Sequence, residues 1–387
     1  DVQTTLDVNI QDITHHALLE ALENFEADHG TAVVMETETG AIRAVANLGR
    51  TEEGKYYEKL NYAIGESHEP GSTFKLMALV AAFEDQVVDT TSVFDTQNGE
   101  LTFYSKYKVR DSRKGGYGKI PITEIFERSS NTGMVQAIYD QYKSKPEQFV
   151  NRLMNMGLSE PLGLPIVGEG KPLIPHPDKK GWSGISLPWM AYGYGVLLTP
   201  MQTLTFYNAI ANDGVMVKPR FIERTQDARS KMKRKSDVEI ISASVCSKET
   251  IGKVKSLLKG VVEKPWGTAH NIYDPNFAIA GKTGTCQLDY NTDEVQYVAS
   301  FVGYFPSDRP KYSCIVVVHR PNKEKGYFGS TVAAPVFQKI AHKLYSSIPV
   351  ETKLSRERYL EITQRKMETS KGVVDAKVDV TKTQNKS

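Results

Sequence analysis

The chain has 387 residues, 40% of them hydrophobic and 24% charged, with a formal net charge of +2. That length and balance describe a globular protein of two subdomains, or one domain with a large insertion, and speak against a disordered chain or a nucleic-acid binder. No stretch approaches the ~18 apolar residues of a membrane span, and no signal peptide opens the chain. It starts at Asp1 without a methionine, so we expect a piece of a longer protein. The basic run Arg229-Ser230-Lys231-Met232-Lys233-Arg234-Lys235 reads as a solvated loop.

Apolar positions Ala17, Leu18, Leu19, Ala21, Leu22 and Phe25 give Ile10 to Glu26 a helical pattern. Two β-prone runs, Thr31 to Glu36 and Ala41 to Ala46, flank a glycine-containing turn and predict a hairpin. From about Lys55 to Thr203 the chain is helix-rich, with Gly and Pro punctuation at 115–118 and through 161–188. Thr199-Pro200 caps and opens a helix over Met201 to Ala211. A helix over Lys248 to Glu263 precedes three strand-like runs, Phe277–Ala280, Val298–Phe305 and Tyr312–Val318. Ala333 to Tyr345 reads as a closing helix. The hairpin and the late strands predict one antiparallel sheet with helices on its faces and the middle block inserted between strands. Beyond about Glu351 the chain is polar, with a weak helical pattern near Tyr359 to Met367, and reads as a tail.

The three cysteines are widely spaced and form no CxxC pair, which argues against a zinc or disulfide framework. Cys286 reads as a small strand residue pointing into the core. The eight histidines show no metal-ligand spacing and most read as surface or satisfied structural residues, so neither metal nor cofactor is expected.

Three motifs carry chemistry. Ser72 and Lys75 stand three positions apart at the mouth of the apolar run Leu76 to Phe83, on one face of a helix. A serine hydroxyl needs an adjacent base, and a lysine held neutral by its surroundings can serve. Ser129-Ser130-Asn131-Thr132-Gly133 follows a helix over Ile122 to Glu127 and on its own is equally a cap or turn. Lys282-Thr283-Gly284-Thr285 follows a strand-like run and on its own is equally an edge strand guarded by a lysine.

In this order S-x-x-K, S-x-N and K-T-G form the signature of the penicillin-recognising serine enzymes. The sequence resembles class B penicillin-binding proteins, and its Glu-Pro-Gly-Ser-Thr and Ser-Ser-Asn forms are similar to the division-type branch. Further stretches carry the likeness: Asn61 to Ser72, Ala191 to Gly195 with Thr199 to Gln202, Gly267 to Ala269, and Val332 to Phe337. The resemblance implies a five-stranded antiparallel sheet flanked by helices, with an inserted all-helical subdomain. The implied division is a transpeptidase domain over 1–350, with 55–200 mostly helical, 1–54 and 201–350 forming the α/β part, and a tail over 351–387.

The resemblance also implies a peptidoglycan D,D-transpeptidase acylated by β-lactams, anchored in the cytoplasmic membrane by a segment outside this chain, with its catalytic domain on the extracytoplasmic side. Its implied partners are peptidoglycan stem peptides, β-lactam antibiotics, a membrane glycosyltransferase and division proteins, and no nucleic acid. Ser72 would be the nucleophile and Lys75 the base. Ser129 would relay a proton, and Asn131 would hold substrate or Lys75. Lys282, Thr283 and Thr285 would face the substrate carboxylate, with the N–H groups of Ser72 and Thr285 as oxyanion hole. Gly284 would let substrate lie on the strand. Tyr327 is open between lining a pocket and packing its own loop. A D,D-carboxypeptidase, a serine β-lactamase and a non-catalytic β-lactam sensor are the alternatives.

Overall fold

The computed structural model describes residues 1–227, 229, 232–288 and 295–345. The tail over 351–387 and its helical pattern near Tyr359 to Met367 lie outside the described residues, as do Ser230 and Lys231 of the basic run.

A six-stranded antiparallel sheet forms the frame. Its strands are β1 (His29–Glu36), β2 (Ile42–Arg50), β3 (Tyr56–Glu58), β4 (Ala280–Leu288), β5 (Gln296–Phe305) and β6 (Tyr312–His319), in the spatial order β4-β5-β6-β1-β2-β3. Four of the five expected strands are there; the fifth, expected over Phe277–Ala280, runs instead over Ala280–Leu288 and so contains Lys282–Thr285, and the short β3 adds a sixth at the edge. It pairs through Leu48, Gly49 and Arg50, beyond the point where the apolar alternation of β2 runs out. The middle strands β1, β6 and β5 are buried almost throughout, as runs of valine and alanine require when helices cover both faces.

Side chains alternate between the two faces. On one face lie α1 (Val8–Asn24) and α8 (Ala334–Tyr345), and Phe301 of β5 meets Phe337 of α8 with ring centroids 4.8 Å apart. The other face carries α6 (Pro200–Ala211), whose twelve residues are all buried. Thr199 and Gln202 form a reciprocal capping box at its start, which satisfies the first N–H groups of a helix that has no water to turn to. Asn208 of α6 donates to Thr37 O (3.0 Å) and accepts from Ser313 Oγ (2.8 Å), joining the helix to β6 and the β1–β2 turn.

The inserted block holds α2 (Lys75–Glu84), α3 (Ile122–Glu127), α4 (Asn131–Tyr142) and α5 (Pro146–Asn155). It is not all-helical. Val93–Asp95 pairs with Lys119–Pro121, and Glu100–Phe103 pairs with Tyr107–Arg110. These ribbons are too short to show a period, and glycines and charges between them read as loop. The basic run differs as well. Lys233–Lys235 forms an exposed strand on Ile222–Gln226, which in turn pairs with Val2–Thr4. Finally, α7 (Lys248–Glu263), capped by Ser247, packs between the inserted block and β4.

Candidate active site

The three motifs meet at the open edge of the sheet. Ser72 lies in a single 3-10 turn, Gly71–Phe74, which runs straight into α2. The turn is pressed against β4. Gly71 has φ +54°, a Cβ there would meet Cys286 Cβ at 3.2 Å, and its N–H donates to Gly193 O at 3.1 Å. Tyr207 of α6 holds the turn from below, its hydroxyl donating to Thr73 O at 2.8 Å. Ser72 itself is half-buried, and its hydroxyl makes no hydrogen bond among the described residues.

One turn on, Lys75 is fully buried. Its Nζ donates to Ser129 O (2.7 Å), Ser129 Oγ (3.1 Å) and Asn131 Oδ1 (2.7 Å), using all the N–H groups of an ammonium. Lys282 of β4, equally buried, donates to the same Ser129 Oγ at 2.9 Å and to Thr283 O at 3.1 Å. One hydroxyl thus stands between two lysines that approach it from different parts of the chain.

Burial lowers the Lys75 ammonium to about 7, against a smaller upward pull from the Asp111 carboxylate. Burial, joined by the charge of Lys75, also holds Lys282 well below the usual lysine range. The pair therefore sheds protons easily at neutral pH.

Ser129 owes its place to two helix ends. α3 stops with Ser129 N–H on Phe126 O and Ser130 N–H on Ile125 O, and Ser129 adopts φ +57°. Ser130 then caps α4, accepting from Gly133 N at 3.0 Å. The cap reading and the chemical reading thus fall on neighbouring residues of one motif.

Sequence reasoning missed Asp111. Its Oδ1 accepts from the N–H groups of Asn131 (2.6 Å) and Thr132 (3.0 Å), and its Oδ2 accepts from the Ser130 (2.9 Å) and Thr132 (2.8 Å) hydroxyls. A carboxylate here sits on the positive end of α4, and Arg110 O fixes the Asn131 amide through Nδ2 at 2.8 Å. No motif marks Asp111, because its partners lie about twenty positions downstream.

Thr283 is buried, with its hydroxyl 2.7 Å from that of Thr268. Thr285 accepts from Gly329 N at 3.0 Å, which pins the loop after β6 against β4. Gly284 faces the nucleophile turn: a Cβ there would strike Ser300 Oγ and lie 3.0 Å from Thr73 Cγ2. Internal packing alone therefore requires glycine at that position. Tyr327 stacks on Tyr297 (4.1 Å) and Phe328 (4.4 Å) and forms no hydrogen bond to the serine–lysine group. Cys286 is buried, and desolvation pushes its thiol up, away from reactivity.

The family profile described as the penicillin binding protein transpeptidase domain matches residues 30–342. The chain belongs to this family. Within it, the chain is 28% identical to stage V sporulation protein D of Bacillus subtilis over 346 residues, covering 87% of this chain and 52% of that protein. It is 29% identical to penicillin-binding protein PbpB of Mycobacterium tuberculosis, covering 88% and 51% respectively. It is also 27% identical to peptidoglycan D,D-transpeptidase FtsI of Buchnera aphidicola, covering 87% and 56%. The chain spans about half the length of these curated relatives.

Solved structures agree in fold. The transpeptidase domain of Burkholderia pseudomallei penicillin-binding protein 3 has a TM-score of 0.75 at 28% identity, covering 90% of this chain and 97% of that one. Penicillin-binding protein 3 of Mycobacterium tuberculosis, solved with aztreonam, has a TM-score of 0.76 at 28% identity, covering 91% and 80%. Among the described residues no helix is long and apolar enough to cross a membrane.

Proposed function

We propose that this chain is the catalytic part of a peptidoglycan D,D-transpeptidase that cross-links stem peptides during cell division and is acylated by β-lactams. The observation that carries the reading is the Ser129 hydroxyl shared by two buried lysines, Lys282 of β4 and Lys75, which stands one turn beyond the half-buried Ser72. The relatives named as D,D-transpeptidases and as penicillin-binding proteins support it.

In the proposed reaction the Ser72 hydroxyl adds to the carbonyl carbon between two terminal D-alanines. Lys75, once neutral, takes the hydroxyl proton on the lone pair of Nζ. The C–N bond then breaks and D-alanine leaves, receiving a proton relayed through Ser129. An amine from a second stem attacks the acyl-enzyme, its proton passes through Ser129 to Lys75, and Lys75 hands that same proton to Ser72 Oγ as the acyl–oxygen bond breaks.

Asn131 orients Lys75 and offers its amide to the substrate backbone. The arriving substrate carboxylate restores the proton on Lys282, which leaves Lys75 as the neutral partner. Thr283 and Thr285 donate hydroxyl hydrogen bonds to that carboxylate. The N–H groups of Ser72 and Thr285 form the oxyanion hole, each worth roughly 2.7–4 kcal/mol of transition-state stabilisation. The open edge of β4 accommodates the substrate as an added strand.

On the same reading residues 1–350 form the transpeptidase domain, with 55–200 supplying the serine and asparagine motifs and the α/β part supplying the lysine strand. The protein works on the extracytoplasmic face of the cytoplasmic membrane, held by an anchor outside this chain. There it acts beside a membrane glycosyltransferase and the division machinery.

The test is mass spectrometry after exposure to benzylpenicillin. One adduct should appear on Ser72, persist for minutes to hours, and be absent from Ser72→Ala. Failure of the intact chain to be acylated would overturn the reading, and turnover within seconds would make it a β-lactamase.

A further inference from the structure

The fold gathers histidines that look unrelated in sequence. His29 opens β1, His319 closes β6, and the two are direct partners in the strand register. Their rings stack with centroids 4.3 Å apart. Glu66, on the segment leading to Ser72, reaches in from the side. Its Oε2 lies 2.9 Å from His29 Nε2 and 3.4 Å from His319 Nε2, and the three ligand atoms are within 4.8 Å of one another. Behind them, Asp28 Oδ2 is 3.2 Å from His29 Nδ1.

Of the two stacked rings only His29 is engaged by hydrogen bonds, through Asp28 on Nδ1 and Glu66 Oε2 on Nε2. His319 is 5% exposed, and its Nε2 has no hydrogen-bond partner even with that oxygen nearby. His68, edge-on to His319 at 5.1 Å, also leaves a buried Nδ1 unpartnered. Leaving a buried polar atom unsatisfied is costly, because it forfeits its bonds to water and gains none in return. Among the eight histidines, most of which are expected to be surface or satisfied residues, His319 and His68 are exceptions.

Two imidazole nitrogens and a carboxylate oxygen within 4.8 Å of one another are the ligand set of a borderline divalent ion. The Asp28–His29 contact is the carboxylate–histidine arrangement that fixes the tautomer of such a ligand. We propose that His29 Nε2, His319 Nε2 and Glu66 form a binding site for one divalent cation of the Zn²⁺ class.

The stacked rings, 16° from parallel, must part for both lone pairs to converge on one ion. A bound ion fastens the Glu66–Pro70 segment to the ends of β1 and β6, immediately before the nucleophile turn.

The experiment is a Zn²⁺ titration of the intact chain, stripped beforehand with a chelator. A competing chromophoric chelator reports affinity, and native mass spectrometry reports stoichiometry. One Zn²⁺ per chain should bind, and His319→Ala and Glu66→Gln should each weaken it at least about tenfold. Co²⁺ in place of Zn²⁺ should give a visible absorption band that both variants lose. The surface His16, 3.2 Å from Asp12, is the control, and His16→Ala should change nothing. Glu66→Gln is nearly isosteric, so it decides the matter if His319→Ala does not fold. Absence of binding to the unmodified chain, or equal binding by Glu66→Gln, would overturn the proposal.

Discussion

At the residue scale the site is an exercise in sharing. Ser129 Oγ accepts from Lys75 and Lys282 at once, and neither lysine has water to disperse its charge. Since burial brings Lys75 to about 7, its neutral fraction grows as pH rises through that value. Acylation by a fluorescent penicillin should therefore accelerate from about pH 6 to 8 and then level off. A flat profile across that range would remove Lys75 as the base. Asp111 pulls the Lys75 ammonium upward, so Asp111→Asn should move the midpoint to lower pH. The same change weakens the hold on Asn131 and Thr132, at a cost of roughly 1.5–3 kcal/mol in chemical unfolding. Rate and stability thus read two separate duties of one carboxylate.

At the scale of elements, β4 and the nucleophile turn behave as one assembly. Gly284 has Ser300 on one side and Thr73 on the other, so Gly284→Ala should push the turn off the strand. Overpacking of this kind costs about 1–3 kcal/mol. The acylation rate should fall far more than the melting temperature, because Ser72 moves relative to Lys75. Equal rates in wild type and variant would disprove the coupling. Most elements were legible in advance, and the reason is periodicity. α6 and α7 begin at their capping residues Thr199 and Ser247, and β5 and β6 follow their apolar runs. The three motifs were legible because their spacing is local. Asp111, the short ribbons of the inserted block and β3 were not, since each depends on a partner many residues away and on no pattern of its own.

At the scale of the molecule, α6 is the member that everything else leans on. Tyr207 supports the nucleophile turn, and Asn208 bridges the sheet to the β1–β2 turn. Asn208→Ala leaves the Thr37 carbonyl and the Ser313 hydroxyl unpaired in the interior, at about 1–3 kcal/mol for each group. Thermal unfolding should show a drop of several degrees, with the penicillin adduct still confined to Ser72. A variant as stable as wild type would mean that water replaces the amide.

The left-handed backbone of Ser129 has a consequence for how this protein tolerates change. A non-glycine residue in that conformation is strained by roughly 1–2 kcal/mol, strain that glycine does not carry. Ser129→Gly should keep the carbonyl that Lys75 uses and relieve the strain, but it removes the acceptor shared by the buried Lys75 and Lys282. The two effects oppose each other, so the melting temperature should move little while acylation is nearly abolished. A screen for thermal stability alone would therefore pass a dead enzyme at this position.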